Sequence, residues 1–259
     1  MQNRRWTEEE TILALYLYYQ LPYGQLHSGN VEIRKLANDI DRTPSSVAMK
    51  LANLASLDPK ITNSGRKGLD GASKLDREMS SRFQHNWASL VNEAERIIQS
   101  QNLQNENSEL KENRTEFEWQ RHDSASSVQR LTEQRVGQDF FRRAVISNFD
   151  ECCCVTGISD RRLLNASHIA PWGLDIENRL NPANGLSLSA TFDRAFDRGL
   201  LTVYPSGKIE ISRQLLENDS FKTRAYFAPY QGRSISSGIR FDPDPKLLAW
   251  HNKERFVDA

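Results

Sequence analysis

The chain has 259 residues, 38% hydrophobic and 26% charged, with a formal net charge of zero. That length admits one large or two modest domains, and the composition is that of a globular protein made slightly polar by one stretch. No apolar run approaches the roughly 18 residues of a membrane span, and MQNRRWTEEE lacks the apolar segment of a secretory leader behind it, so a cytoplasmic protein without a membrane partner is expected.

In chain order, Thr7 stands three before Glu10, a capping-box spacing, ahead of the apolar run ILALYLYY, which reads as a core helix. The loop LPYGQLHSGN follows, with His27 at its surface. Asn30 then caps a helix whose apolar face is Val31, Ile33, Leu36, Ala37 and Ile40. A tight turn follows, with Thr43 as N-cap and Pro44 in the first helical position, and a second helix buries Val47, Leu51 and Leu54. Helix, short turn and helix predict a helix-turn-helix whose second helix enters the major groove, which makes Arg42, Ser45, Ser46, Lys50 and Asn53 candidate DNA contacts. The basic, Gly-rich DPKITNSGRKGLDGASKLD reads as a wing or loop, with Arg66 and Lys67 against the phosphate backbone. The competing reading is a plain helical hairpin. HNWASLVNEAERIIQ closes a first domain over residues 1–98.

From Ser100 to Ser127 the chain is rich in Asn, Gln, Ser and Glu and cannot bury a core, so residues 99–127 are assigned as a polar linker, with no chemistry expected of His122. Residues 128–259 form the second domain. It opens with a helix carrying Phe140, Phe141 and Val145; Arg142 and Arg143 on it are either solvated or turned to DNA. Cys152, Cys153 and Cys154 are the only cysteines, too close together to ligate one tetrahedral metal, and read as a reduced, partly buried strand before a Thr156-Gly157 turn.

The chemistry concentrates between Leu163 and Leu200. Leu163 to Ile169 is a short apolar run bearing one imidazole, His168, and stopped by Pro171. Gly185 to Ser189 alternates as a second half-buried strand. Thr191 to Gly199 then reads as a helix, with Asp193 and Asp197 four apart on one face, able to clamp a hard divalent cation. Beyond it, LLTVYPSGKIEIS predicts a β-hairpin. The tail ends in a helix after Pro245, where His251 is read as packing or surface.

HIAPW, NPANGL and FDRAFDRGL, with His168, Asn184 and Asp193 in that order, resemble the HNH nucleases with a ββα-metal core, and in particular their restriction and McrA-like branch. The resemblance covers about residues 140–200 and continues weakly to the C-terminus. It implies that His168 is the general base, that Asn184 braces the loop between the strands, that Asp193 stands at the third signature position, and that Asp197 is the second helical metal ligand. Two departures stand out: Ser167 lies where many relatives carry a metal-binding Asp or His, and Asp193 makes the motif H-N-D. The oxygen-only set argues for Mg²⁺ or Mn²⁺. Arg179, Arg194 or Arg198 would grip the phosphate.

Residues 4–95 resemble a domain that precedes HNH modules in bacteria. The expected protein is therefore α+β: an N-terminal, mostly helical winged-helix-like reader and a C-terminal ββα-metal nuclease. Its expected function is restriction-type cleavage of double-stranded DNA, dependent on modified cytosine, without a small-molecule cofactor. One HNH unit cuts one strand, so a symmetric site calls for a homodimer. The alternative is a DNA-binding regulator that keeps an inactive HNH fold, a reading to which Ser167 lends weight.

Overall fold

The computed structural model describes residues 4–66, 68–84, 86–109, 125–173, 175 and 178–258. Lys67 and His122 lie outside the described residues, as does most of the stretch assigned as linker. The chain divides into two compact units: Met1–Tyr18, His27–Leu57 and Gly68–Phe140 form the first, and Tyr19–Leu26, Asp58–Lys67 and Phe141–Ala259 the second.

The first unit is helical. Helix α1, Glu8–Gln20, starts at the capping box read from sequence: Glu10 N donates to Thr7 Oγ1 at 3.2 Å and Thr7 N to Glu10 Oε2 at 3.0 Å. Asn30 caps α2, Val31–Asp39, through the backbone N–H groups of Glu32 and Ile33. Thr43 caps α3, Pro44–Ala55, with Pro44 at the start, where its missing N–H costs nothing. Asp41, at φ 49°, makes the sharp turn between α2 and α3. Ile33, Ala37, Ile40, Val47, Leu51 and Leu54 are buried as the apolar spacing predicts, but Val31, read as part of the α2 face, is 73% exposed at the start of the helix, and Leu36 is only half-buried.

The wing is where expectation and structure part. Asp58 accepts from Lys60 N and Ile61 N and Pro59 fixes a helical φ, so Pro59–Asn63 winds into a short helix, α4, rather than a strand. Ser73 and Asp76 then form a capping box that starts α5, Lys74–Phe83. Among the described residues of this region there is no strand. Helix α6 spans Trp87–Glu109 and α7 spans Ala125–Asn148. Within this unit Phe140 stacks on Tyr16, with centroids 5.1 Å apart.

The second unit is built on a two-stranded antiparallel sheet. Strand β1, Leu164–His168, pairs with β2, Gly185–Ser189, in a register that sets His168 opposite Gly185 and Asn165 opposite Leu188. Helix α8, Ala190–Asp197, follows β2 directly. A hairpin of β3, Leu201–Val203, and β4, Ile209–Ile211, stands where the alternating sequence predicts it. Short helices α9, Arg213–Leu216, and α10, Phe221–Phe227, lead to α11, Pro245–Glu254. Phe141, Val145, Leu186, Leu188, Phe192 and Phe196 are central to one apolar core beneath the ββα unit.

The cysteines do not form the expected strand. Asp150 and Glu151 take left-handed backbone conformations after α7, and Gly157 N bonds Cys153 O at 2.9 Å, so the segment folds as a turn. Cys153 and Cys154 are buried, and Cys154 N reaches Ser187 O on β2 at 2.8 Å. Among the described residues no helix is long and apolar enough to cross a membrane.

Candidate active site

Gly185 decides where the imidazole sits. A Cβ at this position would lie 2.4 Å from Val145 Cγ2 and 2.8 Å from Phe141 Cζ, so only glycine lets α7 lie this close to β2. That approach brings the Phe141 ring against His168, its partner across the sheet from Gly185. The two rings stack with centroids 3.7 Å apart and planes at 9°. Trp172 meets the imidazole edge-on at 5.5 Å, and the Arg179 guanidinium lies over Trp172.

The imidazole is held at one nitrogen. His168 Nε2 lies 3.0 Å from the backbone carbonyl of Arg179. A carbonyl can only accept, so Nε2 carries the proton and Nδ1 is left as the basic nitrogen. Burial pulls the imidazole below its ordinary pKa, against the opposing pull of the Arg179 carbonyl. His168 is therefore neutral near pH 7.

Asn184 holds the loop that supplies this carbonyl. It is fully buried; its Oδ1 accepts from Ala170 N at 2.8 Å, and its Nδ2 donates to Ala170 O at 3.1 Å and Asn178 O at 3.3 Å. A side-chain amide that closes two backbone partners in this way replaces strand pairing where the chain leaves β1. Its geometry is that of a brace, away from any reacting atom.

Helix α8 carries the acids. Partial burial and the neighbouring Asp193 charge raise the Asp197 carboxyl above its ordinary pKa, while Arg194, Arg255 and Arg198 pull it down. Asp193 Oδ2 accepts from Asn165 Nδ2 at 2.7 Å. Asn165 and Ser167 are two apart on β1 and share its α8-facing side; Ser167 is buried and its hydroxyl has no hydrogen-bond partner. The two carboxylates, close enough for Asp193 to raise Asp197, are an oxygen-only donor set. Such a set fits a hard cation that retains waters better than a full protein cage, and among the described residues no group of three His, Cys, Asp or Glu is placed to hold a metal.

A cavity of about 580 Å³ opens beside these groups, lined by His168, Pro171, Arg194, Asp197, Arg198, Glu254 and Arg255. The structure thus joins His168, Arg194, Asp197 and Arg198 in one site. Asp193 stands one helical turn away, tied to Asn165, and Arg179 serves through its carbonyl. Sequence reading missed Asn165, Glu254 and Arg255. A polar side chain in a short apolar strand was a signal for Asn165; nothing local marks the last two, which reach the cavity by a long-range contact.

The candidate DNA contacts of the first unit are placed differently. Arg42 donates to Glu10 Oε2 at 2.7 Å through Nη2 and 3.2 Å through Nε, and lies over the Trp6 ring. Lys50 is buried in an ion pair with Asp76. Both cations are turned into the unit. Ser45 and Met49 are exposed on α3, Ser46 and Asn53 half-buried. In the second unit Arg66 lies over Tyr23 at 5.5 Å.

A family model described as HNH endonuclease matches residues 153–204, the span from the buried cysteine turn through β1, β2 and α8 to β3. This segment is similar to an HNH domain in sequence as well as in its ββα order. A search of the curated proteins found no match to the chain.

Proposed function

We propose that the protein is a DNA endonuclease of the HNH type, restriction-like and related in use to the McrA-like branch, that hydrolyses phosphodiesters with His168 as general base. The observation that carries this reading is a neutral imidazole, fixed at Nε2 with Nδ1 left basic, on the wall of a cavity that holds three arginines. Among the described residues none of Arg194, Arg198 and Arg255 forms an ion pair. The three guanidiniums outnumber the Asp197 and Glu254 carboxylates that share the lining, and a phosphate is an anion whose geometry they match.

In the reaction His168 Nδ1 takes the proton of the attacking water. The Phe141 stack and the Arg179 carbonyl keep the ring from turning, so the basic nitrogen stays aimed and neutral. Arg194 and Arg198 hold the phosphate oxygens against the developing charge. Asn184 keeps the loop, and with it the Arg179 carbonyl, in place. A single Mg²⁺ or Mn²⁺ held by Asp193 and Asp197 would add charge stabilisation at the phosphate. Asn165 orients Asp193 for that role.

The first unit is the reader in this proposal, a helix-turn-helix in which Ser45 and Ser46 on α3 face the duplex; Asn53, whose Oδ1 is buried, supports the helix from within, and Arg66 and Lys67, in a segment that belongs to the second unit, meet phosphates. Arg42 and Lys50 support α3 from within instead of touching bases. A reading domain at 1–98, a linker at 99–127 and a nuclease at 128–259, acting as a homodimer in the cytoplasm on DNA with modified cytosine, complete the proposal.

The test is cleavage of DNAs carrying plain, methylated or hydroxymethylated cytosine, with Mg²⁺ or Mn²⁺, by wild type and His168→Ala. Cuts confined to modified DNA and lost in the variant are expected. Cuts on plain DNA remove the modification dependence, and DNA bound but never cut removes the nuclease.

A further inference from the structure

The cavity wall is not confined to the ββα unit. Glu254 ends α11 and Arg255 follows it, both far in sequence from the segment similar to HNH domains, yet both line the cavity with His168. Three contacts fix this junction. Val257 N donates to Gly199 O at 2.9 Å. Gly199, at φ 68°, lies so close that a Cβ would sit 1.9 Å from Arg255 O, so any other residue there would push the C-terminal segment away. Arg255 Nη2 donates to Asp197 O, at the end of α8, at 3.0 Å.

That last bond uses one donor of five. The remaining donors of Arg255 make no hydrogen bond to the described residues, and the side chain is exposed. A guanidinium needed only to cap α8 would serve as well turned toward solvent or paired with a carboxylate. Arg255 instead stands over a cavity that already holds Arg194 and Arg198 against the Asp197 and Glu254 carboxylates, so with it three cations face two carboxylates and the lining is left with positive charge to offer an anion.

We propose that Arg255 is a phosphate-binding residue of the nuclease site, delivered by the C-terminal helix and held by the Asp197 carbonyl, so that its free donors face a phosphate of the bound strand. The inference rests on the nuclease reading for the identity of the ligand as a DNA phosphate. It also makes the C-terminal segment part of the active site instead of an appendage.

The experiment measures duplex binding as a function of salt in the His168→Ala background, with and without Arg255→Gln, and cleavage by the single Arg255→Gln variant. Loss of one phosphate contact lowers the slope of log K against log salt by about 0.9, and kcat/KM is expected to fall by about tenfold to a hundredfold, the range for a charged hydrogen bond. Arg255→Lys should keep the salt slope while losing part of kcat/KM, since it keeps charge without the fork. An unchanged slope for Arg255→Gln overturns the proposal, even if its melting temperature falls, because capping α8 would lower stability without touching the salt dependence.

If Arg255→Gln does not fold, phenylglyoxal modification of the unaltered protein carries the test. Duplex DNA should protect Arg255 along with Arg194 and Arg198 while leaving exposed Arg162 reactive, and Arg255 labelled at the same rate with saturating DNA overturns the proposal. A wild type that binds but never cuts sinks the nuclease reading alone, since slope and protection report binding independently of cleavage.

Discussion

His168 and His251 occupy two corners of the same unit with nearly the same packing and opposite prospects. His251 stacks on Phe196 with centroids 3.8 Å apart and planes at 6°, as His168 stacks on Phe141. Each places Nε2 on a backbone carbonyl, that of Phe196 at 3.3 Å for His251. The second nitrogen separates them. His251 Nδ1 accepts from the Thr202 hydroxyl at 2.8 Å, and that hydroxyl in turn accepts from Asn252. Both nitrogens of His251 are thus taken, and the ring is 2% exposed. His168 has one nitrogen tied and the other left basic at a cavity. A stacked histidine becomes chemical when its environment fixes the tautomer without using the base.

The cations repeat this contrast. Arg42 and Lys50 each face a buried carboxylate, Glu10 and Asp76, and stabilise the helical unit. Burial would raise the Glu10 carboxyl, but hydrogen bonds from Arg42, Thr7 and Arg4 more than offset it and hold the group below its ordinary pKa. Among the described residues the arginines around the cavity form no ion pair, although their charges lower the Asp197 carboxyl.

The largest effect expected from this contrast is on cleavage. His168→Ala should lower the cleavage rate by about 10²- to 10⁴-fold, while His251→Ala should lower the melting temperature more than His168→Ala does. Plasmid cleavage and thermal unfolding on the same preparations check it. Equal loss of cleavage in two variants that are both folded would erase the distinction between the two histidines.

Next comes the buried pair. Lys50→Met leaves the Asp76 carboxylate without its cation in a site where Asp76 is 1% exposed, and removal of one partner from such a pair costs about 3–5 kcal/mol. Urea unfolding should report it. Arg194→Gln, by contrast, should leave the urea midpoint within about 0.5 kcal/mol of wild type, as an unpaired surface cation does.

The third effect depends on pH. Burial, against the Phe196 carbonyl and with a contribution from Arg255, lowers the His251 pKa to about 4. The unfolded chain, with an ordinary histidine near 6.5, binds more protons between those values, so stability falls as pH drops through that window. The contribution is full above pH 6.5 and lost by about pH 4, an order of 3 kcal/mol. Denaturant midpoints from pH 7 to 4 should slope downward, and His251→Gln should flatten the slope; a slope as steep in the variant places the lost stability elsewhere. The same sign governs activity. Because the His168 pKa is also lowered, the acid limb of cleavage should lie below pH 6.5.

The sequence carried much of this, but unevenly. Caps at Thr7, Asn30 and Thr43, apolar spacing in α3 and, except at Val31, in α2, and the β3–β4 hairpin are local, and a local pattern is enough to read them. The wing failed because Asp58-Pro59 is a stronger helix start than the glycines are a hairpin signal. The cysteine turn was hidden in the left-handed backbone of Asp150 and Glu151, which their identity does not announce. At the site, motif order brought out His168, Asn184 and the two aspartates, whereas the Phe141 stack and Arg255 depend on close approaches made by Gly185 and Gly199 to distant segments, and the Asn165 contact joins β1 to a helix well along the chain. Residue type marked Arg42 and Lys50 as DNA contacts; only their partners reveal where their charges go.

The smallest expected effect lies on α3, and it tests the inward turn of those two cations directly. If Ser45 reads the duplex, Ser45→Ala removes one neutral hydrogen bond and should weaken binding to the preferred DNA by about 1 kcal/mol. It should leave the salt slope unchanged, because no charge is lost. Arg42→Gln should do the opposite to what a phosphate contact would: unfolding becomes easier while the salt slope of the folded fraction stays put, since its guanidinium is already held by Glu10 and the backbone carbonyls of Arg4 and Arg5. A salt slope reduced by about 0.9 in Arg42→Gln would mean that DNA draws this side chain out of its pair, and the line between structural and binding cations would have to be redrawn at the first unit.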